Sequence, residues 1–188
     1  MFSKVLQDHT DCISRLAEIT PAVEEAAARL SGVVAGGGRI FICGNGGSAA
    51  DAQHFAAELV GRFEQERAAL PAVALTTDTS IITAVANDYA YDDIFARQLA
   101  GLGSAQDAMI GLSTSGNSEN VRRACAVAAE KGMLCVGLLG GDGGSLREGV
   151  DVSLVVSSHN TARIQEMHIL ILHFFAMKIE SDAVGRGQ

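Results

Sequence analysis

The chain is predicted to be an α/β protein, a three-layer doubly wound sheet of five parallel strands preceded by an N-terminal helical arm. Two observations predict this. Five short apolar runs, at residues 39–43, 72–76, 108–112, 134–139 and 152–156, are each bounded by turn residues, as strands buried on both faces of a parallel sheet are. Helix-like stretches at 48–62, 80–99, 117–131 and, briefly, 144–148 separate them, and strand–helix alternation is the pattern of a doubly wound sheet.

The arm comes first. Phe2, Val5, Cys12, Ile13, Leu16 and Ile19 fall on one face of a helix over residues 2–19. Thr20 and Pro21 then restart helix, the threonine as cap and the proline at the first helical position, and Gly36, Gly37 and Gly38 end the arm at about residue 36. The last segment, 163–180, is apolar almost all round, so it is expected to be buried. Without a repeat, a low-complexity tract or a linker, residues 1–188 read as one domain.

Composition narrows the function. The chain is 48% hydrophobic with no Trp and carries a net charge of −8 without a Lys/Arg cluster, which argues against a protein that grips nucleic acid through its phosphates. No apolar run reaches the roughly 20 residues that span a bilayer, and charges in the first residues interrupt any signal-peptide core, so a cytoplasmic protein with no membrane partner is expected. Cys12, Cys43, Cys125 and Cys135 lack metal-knuckle spacing and read as reduced core residues. Such an apolar chain is also expected to bury surface in an oligomer.

In a doubly wound sheet ligands bind beyond the carboxyl ends of the strands, which directs attention to two loops. The first strand runs into Cys43-Gly44-Asn45-Gly46-Gly47-Ser48 at a helix start, where glycines let backbone amides approach an anion or sugar oxygens. A tight strand-to-helix turn would look the same, and the loop matches neither the dinucleotide nor the nucleoside-triphosphate glycine motif. The third strand ends in Ser113-Thr114-Ser115-Gly116-Asn117-Ser118, four hydroxyls within six residues at another helix start. Capping needs only one hydroxyl, so a phosphate cradle built from dipoles is the stronger reading.

His54, Glu58 and Arg62 recur every four residues and stack along one side of the second helix, either as a solvated stripe or as ligands and acid/base groups. In the last helix Gln165, Glu166, His168 and His173 interrupt an apolar face, and burying them costs free energy unless they are partnered. Gln165 and His173 lie about 80° apart around the helix, so both reach one site. Two histidines, a Glu and a Gln can make a zinc site.

Four segments then carry a resemblance: CGNGGSAADAQHFAAELVGRF, AVANDYAYDDIFARQL, GLSTSGNSENV and ARIQEMHILILH. In order and spacing, across nearly the whole chain, they are similar to the sugar isomerase (SIS) domain family, and within it to the phosphoheptose isomerases of heptose biosynthesis. The resemblance implies a flavodoxin-like sheet and a homotetramer with active sites between subunits. It also implies conversion of sedoheptulose 7-phosphate to D-glycero-D-manno-heptose 7-phosphate. By the same likeness Asn45, Gly46, Gly47, Ser48, Glu58, Asn87, Asp88, Ser113, Thr114, Ser115, Ser118 and Gln165 contact the sugar phosphate. His54, Glu58, Gln165 and His173 hold one zinc per subunit, and Glu58 and His173 form the acid/base pair. Ala162 departs from the pattern, which often has Asp there. The stretch around it is closer to a sister branch of replication-initiator-associating proteins, which have this fold without the catalytic Glu and His. A non-catalytic phosphosugar sensor of that kind is the alternative reading; Glu58 and His173 are the residues it has no need to keep.

Overall fold

The computed structural model describes residues 1–186; Gly187 and Gln188, which the one-domain reading includes, lie outside the described residues. Five strands, β1 (Ile40–Cys43), β2 (Ala72–Ala74), β3 (Ala108–Ser113), β4 (Leu134–Gly140) and β5 (Val152–Val156), pair in parallel in the order β2-β1-β3-β4-β5. β1 is flanked on both sides, Ile40 standing opposite Ala72 on β2 and Ala108 on β3. Successive side chains on a strand point to opposite faces, and each face here has its own core. Ile40, Ile42, Ile110, Leu112, Val136 and Leu138 pack with one set of helices, while Phe41, Cys43, Met109, Cys135 and Leu139 pack with the other.

The arm is α1 (Phe2–Leu16) and α2 (Thr20–Ala35), joined by one 3-10 turn over Ala17–Ile19. Pro21 sits in the first turn of α2 as expected, but Thr20 is no cap: its hydroxyl donates back to the Ala17 carbonyl at 2.8 Å. α2, α3 (Gly47–Val60) and α7 (Thr161–Arg186) cover one face of the sheet through Ala26, Leu30, Phe55, Leu59, Ile171 and Phe175. α5 (Ala96–Leu102) and α6 (Glu119–Glu130) cover the other through Leu99, Val121 and Cys125. All four cysteines are buried free thiols, and no helix among the described residues is long and apolar enough to cross a membrane.

Two expectations need correction. The stretch 80–99 is not one helix but α4 (Thr79–Asp88), a 3-10 turn at Tyr91–Asp93 and α5, with a break at Tyr89. The break is stabilised on both sides: the Asp78 side chain caps α4 by accepting from Ile81 N–H at 2.9 Å, and buried Gln98 donates to the Leu75 and Ile94 carbonyls. The last helix is longer than 163–180 and is not buried all round, since Leu170 and Met177 are exposed. With Ile13, Leu16, Val23 and Phe174, Leu170 lines an apolar groove of about 340 Å³ between the arm and α7.

The segment after α3 carries the chain back under α7, where Glu180 anchors it. This fully buried carboxylate accepts from the Phe63, Glu64 and Gln65 amides at 2.8–2.9 Å. Arg67, buried beside it with Nε 3.2 Å away, donates to the Glu58, Leu59 and Gly61 carbonyls at the end of α3. Burial alone would raise the Glu180 pKa, but the three N–H bonds and Arg67 hold it below the ordinary carboxylate value.

Candidate active site

Strand order reverses direction of growth between β1 and β3, and such a switch point opens a crevice at the carboxyl ends of those two strands. The loops predicted from sequence lie there. The 44–47 turn needs glycine at two places: Gly46 has φ +58°, and a Cβ on Gly44 would stand 2.7 Å from that of Ser48. Asn45 is held by a buried partner, its Nδ2 donating to Asn120 Oδ1 at 2.9 Å while its Oδ1 accepts from Asn120 Nδ2 and from Tyr91 Oη. The break after α4 therefore has a purpose in the site, because it presents the Tyr91 hydroxyl to the β1 loop.

In the β3 loop the Ser113 and Ser118 hydroxyls lie 2.8 Å apart, and Ser115 Oγ accepts from Asn117 N–H at 3.1 Å. None of these hydroxyls reaches into α6 as a side-chain cap, so Ser118 starts that helix with its hydroxyl turned to the loop instead. The loop leans on β4. The Leu146 amide donates to Gly116 O at 3.0 Å, and a Cβ on Gly116 would stand 2.1 Å from Gly143 O.

One helical turn separates His54 from Glu58 on α3, and their Nε2 and Oε1 atoms are 3.0 Å apart. α7 brings His173 Nε2 to 3.2 Å from His54 Nε2, and the Phe63 ring lies against His173. Ligand atoms of His54, Glu58 and His173 all lie within 4.8 Å of one another, a separation that one metal ion can bridge. Two imidazoles and a carboxylate, with room for a further ligand, are the donor set of a catalytic zinc site, so these residues fit the ion. Gln165, two turns before His173 on the same helix, packs its amide against Gly47, where a Cβ would approach it to 2.5 Å.

Other expected residues stand elsewhere. His168 is fully buried against Leu139 O, and burial lowers its pKa to about 4. Glu166 faces the arm, where His9 Nδ1 is 2.6 Å from it and Arg163 pairs with its other oxygen. Asn87 and Asp88 pair with each other at the exposed end of α4 and touch no member of the triad within this chain. Arg62 is exposed and spaced toward Glu66. Three participants escaped the sequence reading: Asn120, Tyr91 and Asp51. Asp51 Oδ2 is buried with no partner, and burial raises the carboxyl pKa although His54 and His173 pull it down. Its place one turn before His54 on the ligand face of α3 was the available signal.

A glycine turn, a hydroxyl loop and a metal-binding triad at the switch point define a SIS-domain protein, and the SIS domain family matches residues 6–140. The phosphoheptose isomerase of Trichlorobacter lovleyi is 50% identical over 184 residues, 97% of this chain and 94% of that protein. The one from Geobacter metallireducens is 53% identical, covering 87% of this chain and 86% of its own length. Among solved structures, the phosphoheptose isomerase of Francisella tularensis has a TM-score of 0.92 at 38% identity, with 96% of each chain covered. The chain belongs to the phosphoheptose isomerase family of SIS-domain enzymes.

Proposed function

We propose that the protein isomerises sedoheptulose 7-phosphate to D-glycero-D-manno-heptose 7-phosphate, a ketose-to-aldose conversion that serves heptose biosynthesis in the cytosol. The observation that carries this reading is the convergence of His54, Glu58 and His173 beside the Gly47–Gln165 contact, at the same end of the sheet as the hydroxyl loop. Ser113, Thr114, Ser115 and Ser118, with the α6 amides, hold the phosphate, while Asn45 to Ser48, Asn87, Asp88 and Gln165 position the sugar.

The reaction moves one proton between adjacent carbons. Glu58 removes it from C1 of the ketose, the C–H electron pair forms the C1=C2 bond, and the C2 oxygen is protonated to give an enediol. His173 exchanges protons at O1 and O2, and return of the proton to C2 with loss of that on O1 leaves the aldose. One zinc per subunit, on His54, Glu58, Gln165 and His173, would polarise the carbonyl and the neighbouring hydroxyl when bound. The open apolar groove between arm and α7 supports burial against other copies, in a homotetramer whose subunits complete one another's sites.

Purified protein should convert sedoheptulose 7-phosphate to an aldose, lose that activity on chelation and regain it with zinc. Glu58→Gln and His173→Ala should each cost about 10² to 10⁴ in turnover with the fold intact. Full activity in Glu58→Gln would remove the proton-transfer role; activity indifferent to chelators would remove the zinc.

A further inference from the structure

A polar cavity of about 320 Å³ lies at the tips of β3 and β4 and the start of α7, lined by Thr114, Ser115, Gly141, Asp142, His159 and Thr161 among others. Thr114 and Ser115 belong to the hydroxyl loop, so the cavity opens onto the place assigned above to phosphate. No Lys or Arg lines it, and Asp142 adds a negative charge. A phosphate dianion there would meet neutral dipoles and one carboxylate, and His159 is the lining side chain that can offset that charge.

The backbone holds His159 in place. Gly141 N–H donates to Ser158 O at 3.0 Å and Ser158 N–H to Val156 O at 2.8 Å, tying the loop before α7 to β4 and β5. On its other side Asn160 caps α7, its Oδ1 accepting from Ala162 N–H at 3.0 Å. The ring lies beside Gly141, with Nδ1 3.9 Å from where a Cβ on that residue would stand. Among the described residues the exposed imidazole makes no hydrogen bond, so its N–H is available to a ligand.

We propose that His159 is a specificity residue that donates a hydrogen bond to the phosphate end of the bound sugar phosphate, completing the hydroxyl cradle from the β5–α7 loop. This rests on the sugar-phosphate reading above and places His159 far from the reacting carbons, which belong at the triad. Binding contacts remote from the reacting centre that are equal in ground and transition states change KM and leave kcat.

The test compares parent, His159→Ala and His159→Asn, the last retaining an N–H donor. Steady-state kinetics are measured with sedoheptulose 7-phosphate, and inorganic phosphate binding by calorimetry. Loss of a hydrogen bond to a charged group should raise both KM and the phosphate Kd about 10-fold or more in His159→Ala, with Asn recovering part of the loss. Turnover should stay within about twofold of the parent. Unchanged KM and Kd would overturn the proposal, and a raised KM with unchanged phosphate Kd would overturn the phosphate contact. A parent that binds phosphate through His159 yet turns over no sugar would sink the isomerase reading and uphold this one.

Discussion

Gly47→Ala separates what the fold needs from what the site needs. The new Cβ would stand 2.5 Å from Gln165 Nε2 and 2.8 Å from its Cδ and Oε1, against an ordinary carbon contact of about 3.5 Å, so the amide must retreat by roughly 1 Å. Nothing else blocks the substitution. Gly47 has no positive φ, its Cβ would meet only this side-chain end, and it starts a helix, where Ala is intrinsically favoured over Gly by up to about 1 kcal/mol. An off-rotamer Gln165 costs about 0.5–1.5 kcal/mol, so the two effects nearly cancel and the melting temperature should move by only a few degrees. Displacing a ligand or orienting group by 1 Å costs about 10²-fold in rate. Calorimetry, kcat/KM on sedoheptulose 7-phosphate and bound-zinc analysis on the same preparation check both halves. A stable variant with parental kcat/KM would refute the role of Gln165, and a variant that loses activity only in proportion to unfolded protein would refute the separation.

Three further outcomes are expected. Glu180→Ala leaves Arg67 and the Phe63, Glu64 and Gln65 amides without their acceptor and should cost about 3–5 kcal/mol in urea unfolding. Because the Glu180 pKa is lowered in the fold, its contribution is complete above the unfolded carboxylate pKa and is lost as pH falls through the native one; the variant should lack that part of the acid dependence. His168 titrates near 4 in the fold against 6.5 unfolded, so stability should fall by about 3 kcal/mol as pH drops across that window. A His168→Leu protein should show a flatter pH–stability curve, and an unchanged curve would refute the assignment. Ser115→Ala should raise KM by about 5- to 150-fold, the scale of an unmet hydrogen bond to a charged group, and equal affinity for substrate would remove Ser115 from the cradle.

The sheet was legible because its strands are buried on both faces, which makes each a continuous apolar run between turn residues. The two ligand loops were legible because glycine and serine density exceeds what a turn or a cap requires. The break at Tyr89 was not, since no Gly or Pro marks it; it is set by tertiary bonds from Asp78, Gln98 and Tyr91 that have no local signature. His54, Glu58 and His173 met as helical spacing foretold, whereas His168 and Glu166, from the same polar set, turned to Leu139 and His9. Composition flags a polar group in an apolar helix, but the neighbouring elements decide which way it faces.

The closeness of Gly116 to Gly143 bears on how the β3 loop fluctuates. Because the Leu146 amide donates to Gly116 O, opening the β3 loop requires parting it from the β4 connection. Hydrogen exchange at that amide therefore reports the loop's opening free energy. In Gly116→Ala, whose Cβ cannot fit at 2.1 Å, Leu146 should exchange much faster while the amides of β3 and β4 keep their protection. A hydroxyl loop with no basic residue of its own would then owe its readiness for phosphate to rigidity drawn from the neighbouring strand.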